Sequence, residues 1–107
     1  MDTTISARHC EISEALRDRT LAVTERLAQL SPHALDATVV FDVTPTESTA
    51  EIRLHVRGGK FLVGAGSAAD HRTALDRAEE KLRPQLEKIT TRRRTRGPSS
   101  KSSTRPQ

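Results

Sequence analysis

The segment that most constrains the fold is residues 50–66, where two alternating stretches flank a pair of glycines. Every second position of the first stretch is apolar: Ala50, Ile52, Leu54 and Val56. This period of two predicts a strand with one buried face. Gly58-Gly59 supplies two residues that tolerate the positive φ of a tight turn, so the chain is predicted to return directly as a second strand over Lys60 to Gly66.

The alternation also predicts the register of this hairpin. If Arg57 pairs with Lys60, the cross-strand pairs are Val56 with Phe61, Leu54 with Val63, and Ile52 with Ala65. This pairing gathers the large apolar residues on one face, with Leu62 as the exception. We therefore expect Phe61 in the core.

The preceding segments supply two more strands and a helix. Residues 3–8 alternate polar and apolar side chains, and so do residues 37–44, which predicts a strand in each. Between them, Ser13 is a suitable N-cap for a helix that ends near Leu30, ahead of Pro32.

A second helix is predicted over about residues 68–90. Ser67 and Asp70 have the spacing of a capping box, and an apolar stripe at helical spacing follows: Leu75, Ala78, Leu82, Leu86 and Ile89. The order β-α-β-β-β-α indicates an α+β fold, with a four-stranded sheet and two helices packed on one face.

Positive charge is concentrated at the end of the chain. The 18 Lys and Arg exceed the 14 Asp and Glu, but residues 92–107 hold six of those cations and no acid. A basic run without apolar residues is typical of a disordered, nucleic-acid-binding arm. We therefore predict a folded domain of residues 1–91 and a disordered basic tail of residues 92–107.

The sequence offers little for catalysis, metal binding or membrane insertion. His9 and Cys10 are neighbours on extended chain and point apart, so they do not converge as base and nucleophile. The four histidines and one cysteine lack metal-ligand spacing, and no apolar run has the length of a signal peptide or membrane span. The single cysteine cannot form an internal disulfide, which is typical of a reducing compartment. We expect a cytoplasmic, non-enzymatic protein without cofactor, membrane partner or small-molecule substrate.

With both phenylalanines expected in the core, the sheet offers no aromatic platform for RNA bases. Recognition of an anionic partner by charge remains. The candidate RNA-binding residues lie on the outer helix faces, at the corner after the first strand and in the tail: Arg26, Lys81, Arg83, Lys88, Arg8, His9, Arg92, Arg93, Arg94 and Arg96. The alternative for the helical residues is ordinary solvated charge, and for the corner residues a local cap or a bond to Glu11.

Three segments together resemble one known family. They are the string Ala7-Arg8-His9-Cys10-Glu11-Ile12-Ser13-Glu14-Ala15-Leu16-Arg17, then Leu54-His55-Val56 followed by Gly58-Gly59, and the second-helix residues Asp70, Ala74-Leu75-Asp76, Lys81-Leu82 and Gln85-Leu86. Over about residues 3–90 the chain resembles the hibernation-promoting, ribosome-associated inhibitor family, also called sigma-54 modulation proteins.

The resemblance implies a fold like that of double-stranded-RNA-binding domains. It implies a short family member, monomeric when isolated, that occupies the decoding channel of the small ribosomal subunit, contacts ribosomal RNA and blocks translation. The chain departs from the family pattern at Val23, which is basic in some members, at Arg72, and at Pro84, which is expected to kink or weaken the second helix. A second hypothesis is a diverged member without ribosome binding that acts as a protein-interaction or regulatory module.

Overall fold

The computed structural model describes residues 1–95, and side chains as far as residue 89. Its elements are β1 (Asp2–Ala7), α1 (Glu14–Leu30), β2 (Ala34–Val43), β3 (Ser48–Val56), β4 (Lys60–Ala68) and α2 (His71–Thr95). The predicted order β-α-β-β-β-α is confirmed. Within the described residues, no helix is both long and apolar enough to cross a membrane.

The strands form one sheet in the order β1-β2-β3-β4. β1 and β2 pair in parallel through the α1 crossover, whereas β2, β3 and β4 pair antiparallel. Both helices cover the same face, and the apolar core lies between them and the sheet: Val23, Leu27, Val39, Phe41, Ile52, Leu54, Leu75, Leu82 and Leu86 are its largest members. Both helices run in the same direction along the sheet. They end at the side of the domain where the β3–β4 turn lies, which we call the hairpin end, and they begin at the opposite side, which we call the corner end.

The first helix has the predicted boundaries. The Ser13 hydroxyl accepts a hydrogen bond from the Leu16 amide at 3.0 Å, and α1 ends at Leu30. Val23 is completely buried in the core. The departure from the family pattern at Val23 therefore removes no cation from the surface of this protein.

The predicted start of the second helix is wrong by about three residues. Ser67 and Ala68 pair with Thr49 and Ser48 as the last part of β4, and the N-cap of α2 is Asp70, whose carboxylate accepts from the Thr73 amide at 2.8 Å. Because Ser67 pairs with β3 as part of β4, it does not serve as the helix cap that the local motif predicted. Hydrogen bonds from the backbone N–H and the side-chain hydroxyl of Thr73 are the main reason why the pKa of Asp70 lies below its usual value.

The second helix also ends later than predicted. It continues through the exposed Pro84 to Thr95, so residues 92–95 of the predicted tail have helical backbone. Residues 96–107 lie outside the described part of the chain.

The predicted register of the hairpin is wrong by one residue. Val56 pairs with Lys60, Leu54 with Leu62, and Ile52 with Gly64. The turn therefore contains three residues, Arg57-Gly58-Gly59, and both glycines have positive φ, 98° and 79°.

This register places Leu62, Gly64, Gly66 and Ala68 beneath the helices, and Phe61 and Val63 on the open face of the sheet. Phe61 is 58% exposed and Val63 41% exposed, so the expectation of Phe61 in the core is also wrong.

The close approach of α2 to β4 explains why small residues occupy the covered face. A Cβ atom on Gly64 would lie 2.5 Å from the carbonyl oxygen of Ala78 and 2.9 Å from the Leu82 side chain. A Cβ atom on Gly66 would overlap the carbonyl oxygen of Ala74. A phenylalanine or valine facing α2 would force the helix away from the sheet, because packed interiors tolerate little extra volume.

We expect Gly64→Ala to lower the free energy of unfolding by about 2 kcal/mol, because the added methyl meets helix backbone that cannot move aside cheaply. Chemical denaturation measures this change. The matched control is Ala65→Val at the neighbouring position, where the side chain is exposed on the open face of the sheet. This substitution should change stability by less than about 0.5 kcal/mol. Equal stability of Gly64→Ala and the wild type would show that α2 can move from β4 without cost.

Candidate nucleic-acid interface

Arg26 joins the two helices through a buried carboxylate. Its Nε and Nη2 donate to the two oxygens of Glu79 at 3.2 and 3.1 Å, while Glu79 is only 7% exposed. This hydrogen bonding raises the pKa of Arg26 above its ordinary value. Arg83 lies 3.9 Å from the same carboxylate. Arg26 on α1 and Arg83 on α2 therefore both lie where the two helices face each other, and Glu79 already balances part of their charge.

Arg19 makes a second connection between the helices. Its Nη2 donates to both carboxylate oxygens of Asp76, at 2.8 and 3.0 Å. This pair is not among the interactions predicted from the sequence. A signal was present, since arginines seven residues apart on α1 and acids three residues apart on α2 each fall on one helix face.

The opposite flank of α2 lies along the outer edge of β4. Gln85 donates its side-chain amide to the carbonyl of Val63 at 3.0 Å, and Arg77 donates to the carbonyl of Ser67 at 2.6 Å. Lys81 and Lys88 fall on this same flank, four residues before Gln85 and three after it. We call Arg77, Lys81, Gln85 and Lys88 together the β4-edge surface.

The two lysines of this surface are exposed, and neither forms an ion pair with any described residue. Lys81 also lines an open cleft of about 310 Å³ with Ala65, Ser67 and Glu51. Since no carboxylate holds these ammonium groups, they can meet phosphate without first breaking an internal bond. The structure thus divides the helical candidates into Arg26 and Arg83, which have acidic partners, and Lys81 and Lys88, which have none within the described chain.

Arg8 and His9 lie at the corner end. His9 has a positive φ of 60°, and its Nδ1 lies 3.1 Å from the Asp42 carboxylate. The sequence offered Glu11 as a local partner for these corner residues, but the carboxylate that His9 contacts is that of Asp42. The hydrogen bond from the Val43 amide, and to a smaller extent the hydrogen bond with His9, lower the pKa of the Asp42 carboxyl group. Lys88 lies about 25 Å along the α2 axis from His71, so the corner and the C-terminal part of α2 are separate surfaces.

The remaining candidates belong to the basic run. The backbone of Arg92, Arg93 and Arg94 continues α2, their side chains are not described, and Arg96 lies outside the described residues. Contacts of all ten candidate residues with RNA remain predictions.

The corner contains the only cysteine of the sequence, but its neighbours do not form a reaction centre. Cys10 Sγ lies 3.9 Å from Nε2 of His71, and that nitrogen donates to the carbonyl of Asp42 at 2.8 Å. It therefore offers no lone pair to the thiol. Within residues 1–95, no group of three or more potential ligands could hold a metal ion.

The open face of the sheet contains one arrangement that the sequence analysis excluded. The rings of His55 and Phe61 stack with centroids 4.7 Å apart and planes inclined by 17°. The wrong register concealed this pair, because it placed Phe61 on the opposite face from His55.

Comparisons with known proteins find relatives of both the sequence and the fold. The model of the Sigma 54 modulation protein / S30EA ribosomal protein family matches residues 3–94. The N-terminal domain of Thermus thermophilus Protein Y is similar with a TM-score of 0.75 and 28% identity, over 83% of this chain and 99% of that one. A ribosomal subunit interface protein from Coxiella burnetii has a TM-score of 0.71 and 18% identity, over 85% of this chain and 99% of its own. A search of curated protein sequences found no significant match.

We expect Arg26→Gln to lower the free energy of unfolding by about 1 kcal/mol, whereas Lys88→Gln leaves it nearly unchanged. Both substitutions remove one positive charge, but only the first deprives the buried Glu79 of its two-point partner. Thermal unfolding of the two variants side by side measures the difference. If both variants melt with the wild type, the Arg26–Glu79 pair does not contribute to joining the helices.

Proposed function

We propose that this chain, which belongs to the Sigma 54 modulation protein / S30EA ribosomal protein family, is a translation inhibitor that occupies the decoding channel of the small ribosomal subunit. Family membership confirms the resemblance given by the Ala7–Arg17 string and the second-helix residues, and it gives the protein a ribosome-associated role. The remaining question is which surface meets the ribosome.

The observation that carries the proposal is the pair of exposed lysines on the β4-edge surface. Each ammonium group that neutralises a phosphate releases condensed counterions, which favours binding without base recognition. Arg26 and Arg83 contribute less, because Glu79 must be left without its partners if they are to turn toward RNA. We therefore assign the principal ribosomal RNA contacts to Lys81 and Lys88, with Arg8 and His9 as a second contact at the corner end.

Inhibition follows from occupancy and needs no catalytic step. α2 has 25 residues and so extends for about 37 Å, and the basic run begins in its last turn. A domain of this size excludes messenger and transfer RNA from the channel simply by filling it. Such a protein works in the cytoplasm, where ribosomes translate, and helps to keep idle ribosomes inactive.

The basic run continues past α2 in the sequence. Residues 96–107 contain Arg96, Lys101 and Arg105 and no acid. We propose that this segment follows RNA phosphates beyond the reach of the folded domain.

We expect the wild type to co-sediment with small ribosomal subunits, and the combined variant Lys81→Gln with Lys88→Gln to bind about tenfold more weakly or worse at the same salt concentration. The matched control, Ala22→Glu with Gln29→Glu, changes the net charge equally but on the exposed face of α1, away from both proposed contacts. It should retain most of the affinity. Thermal unfolding checks that both variants remain folded.

Two outcomes would contradict the proposal. Equal losses in both double variants would mean that overall charge alone governs binding. Absence of wild-type co-sedimentation at any salt concentration would favour the other hypothesis, a family member that acts as a protein-interaction module.

We expect removal of residues 96–107 to leave the domain folded and to reduce the salt dependence of ribosome binding. If the three removed cations each contact a phosphate, the slope of log affinity against log salt concentration should fall by about 2 to 3. The cut after Thr95 keeps α2 intact. Sedimentation across a salt series measures the slope, and an unchanged slope would show that the segment makes no RNA contact.

A further inference from the structure

We propose that Phe61 binds an unpaired RNA base on the ring face that is turned away from His55. The proposal rests on the proposed function in taking RNA as the partner, but it concerns the open face of the sheet and recognition by stacking. It adds a base contact to a protein for which only phosphate contacts have been proposed above.

The Phe61 ring is already held in position before any ligand arrives. One of its faces lies against His55 at 4.7 Å. Nδ1 of His55 in turn lies 3.1 Å from the carboxylate of Asp36 on the next strand. The three residues form one row across β2, β3 and β4, so a base that stacks on Phe61 meets a ring whose conformational freedom is already reduced.

The second face of the ring is accessible because β4 is an edge strand. Among the described residues no further strand pairs with β4, and Phe61 remains 58% exposed. A planar base placed there would extend the stack in the order His55, Phe61, base. Stacking of this kind suits any base, since every base presents a π face.

The charges around Phe61 favour a nucleic acid over an apolar partner. Arg53 and Arg57 stand two residues before and after His55 along the chain, both exposed and without an ion pair among the described residues. Lys88 lies on the α2 flank beside the same edge. The acids on this part of the face are Asp36, which His55 engages, its neighbour Asp2 on β1, and Glu51.

The apolar surface is too small to form the centre of a protein interface. On β4, only Phe61 and Val63 are large, apolar and exposed. Protein interfaces of standard size need a wider desolvated core with little charge at its centre. One ring flanked by arginines instead matches one base with a phosphate on either side.

The test uses short single-stranded RNA that contains 2-aminopurine, whose fluorescence is quenched by stacking, with the intact protein. We expect quenching by the wild type and by Phe61→Trp. Phe61→Leu, which keeps an apolar side chain but loses the π face, should bind about tenfold more weakly and quench little. Its salt slope should equal that of the wild type, because the phosphate contacts remain.

Three controls separate stacking from other effects. Leu21→Ala removes a similarly exposed apolar residue on α1 and should bind like the wild type. Duplex RNA with the same label should show no difference between Phe61→Leu and the wild type, because its bases are already stacked. Arg53→Gln with Arg57→Gln should lower the salt slope instead. Wild-type affinity and quenching in Phe61→Leu would overturn the proposal.

On the ribosome, Phe61→p-benzoylphenylalanine identifies the partner by photo-cross-linking. A cross-link to ribosomal RNA or to messenger RNA supports the base site and tells the two sources apart, whereas a cross-link to a ribosomal protein alone overturns it. The fluorescence assay contains no ribosomes. Its failure therefore rejects the stacking site and leaves ribosome binding intact, while failed co-sedimentation with normal quenching rejects the proposed function alone.

Discussion

The structure depends above all on the close contact between α2 and β4 at Gly64 and Gly66. Helix carbonyl oxygens lie where the Cβ atoms of larger residues would be, so only glycine allows the helix to lie this close to the sheet. This contact selects the register of the hairpin. It turns Phe61 and Val63 outward, and it brings α2 within hydrogen-bonding distance of the carbonyls along the edge of β4. The core and both flanks of α2 follow from it.

Once α2 is fixed, its two flanks meet different surroundings and acquire different roles. The flank beside α1 carries the nearly buried Glu79, and a carboxylate in that position is costly without a partner. Arg26 and Arg83 meet this requirement. The flank beside β4 faces backbone carbonyls, which accept hydrogen bonds but do not neutralise a lysine. Lys81 therefore retains its charge for an external anion, and Lys88 on the same flank does so too.

The edge of β4 is protected by the same helix. Outward carbonyls of edge strands readily pair with the strands of other molecules. Here Gln85 and Arg77 occupy the carbonyls of Val63 and Ser67, which hinders extension of the sheet by a second chain. A sheet that is not extended leaves the Phe61 ring accessible at its edge. The position of α2 thus explains both the protection of the β4 backbone and the exposure of the Phe61 ring.

The sequence by itself determined the elements, their order, the boundaries of α1 and the family. Each rests on local information: a period of two or of 3.6, the Ser13 cap, or a contiguous string of residues. It also showed that the residues after 91 carry six basic side chains and no acidic one. The tertiary structure alone decided the hairpin register, the start of α2 at Asp70, the acidic partner of Arg26 and the exposure of Phe61. Each of these depends on how closely two distant segments approach. Hydrophobic patterning favours large apolar residues in the core, whereas the contact between β4 and α2 required the smallest residue available.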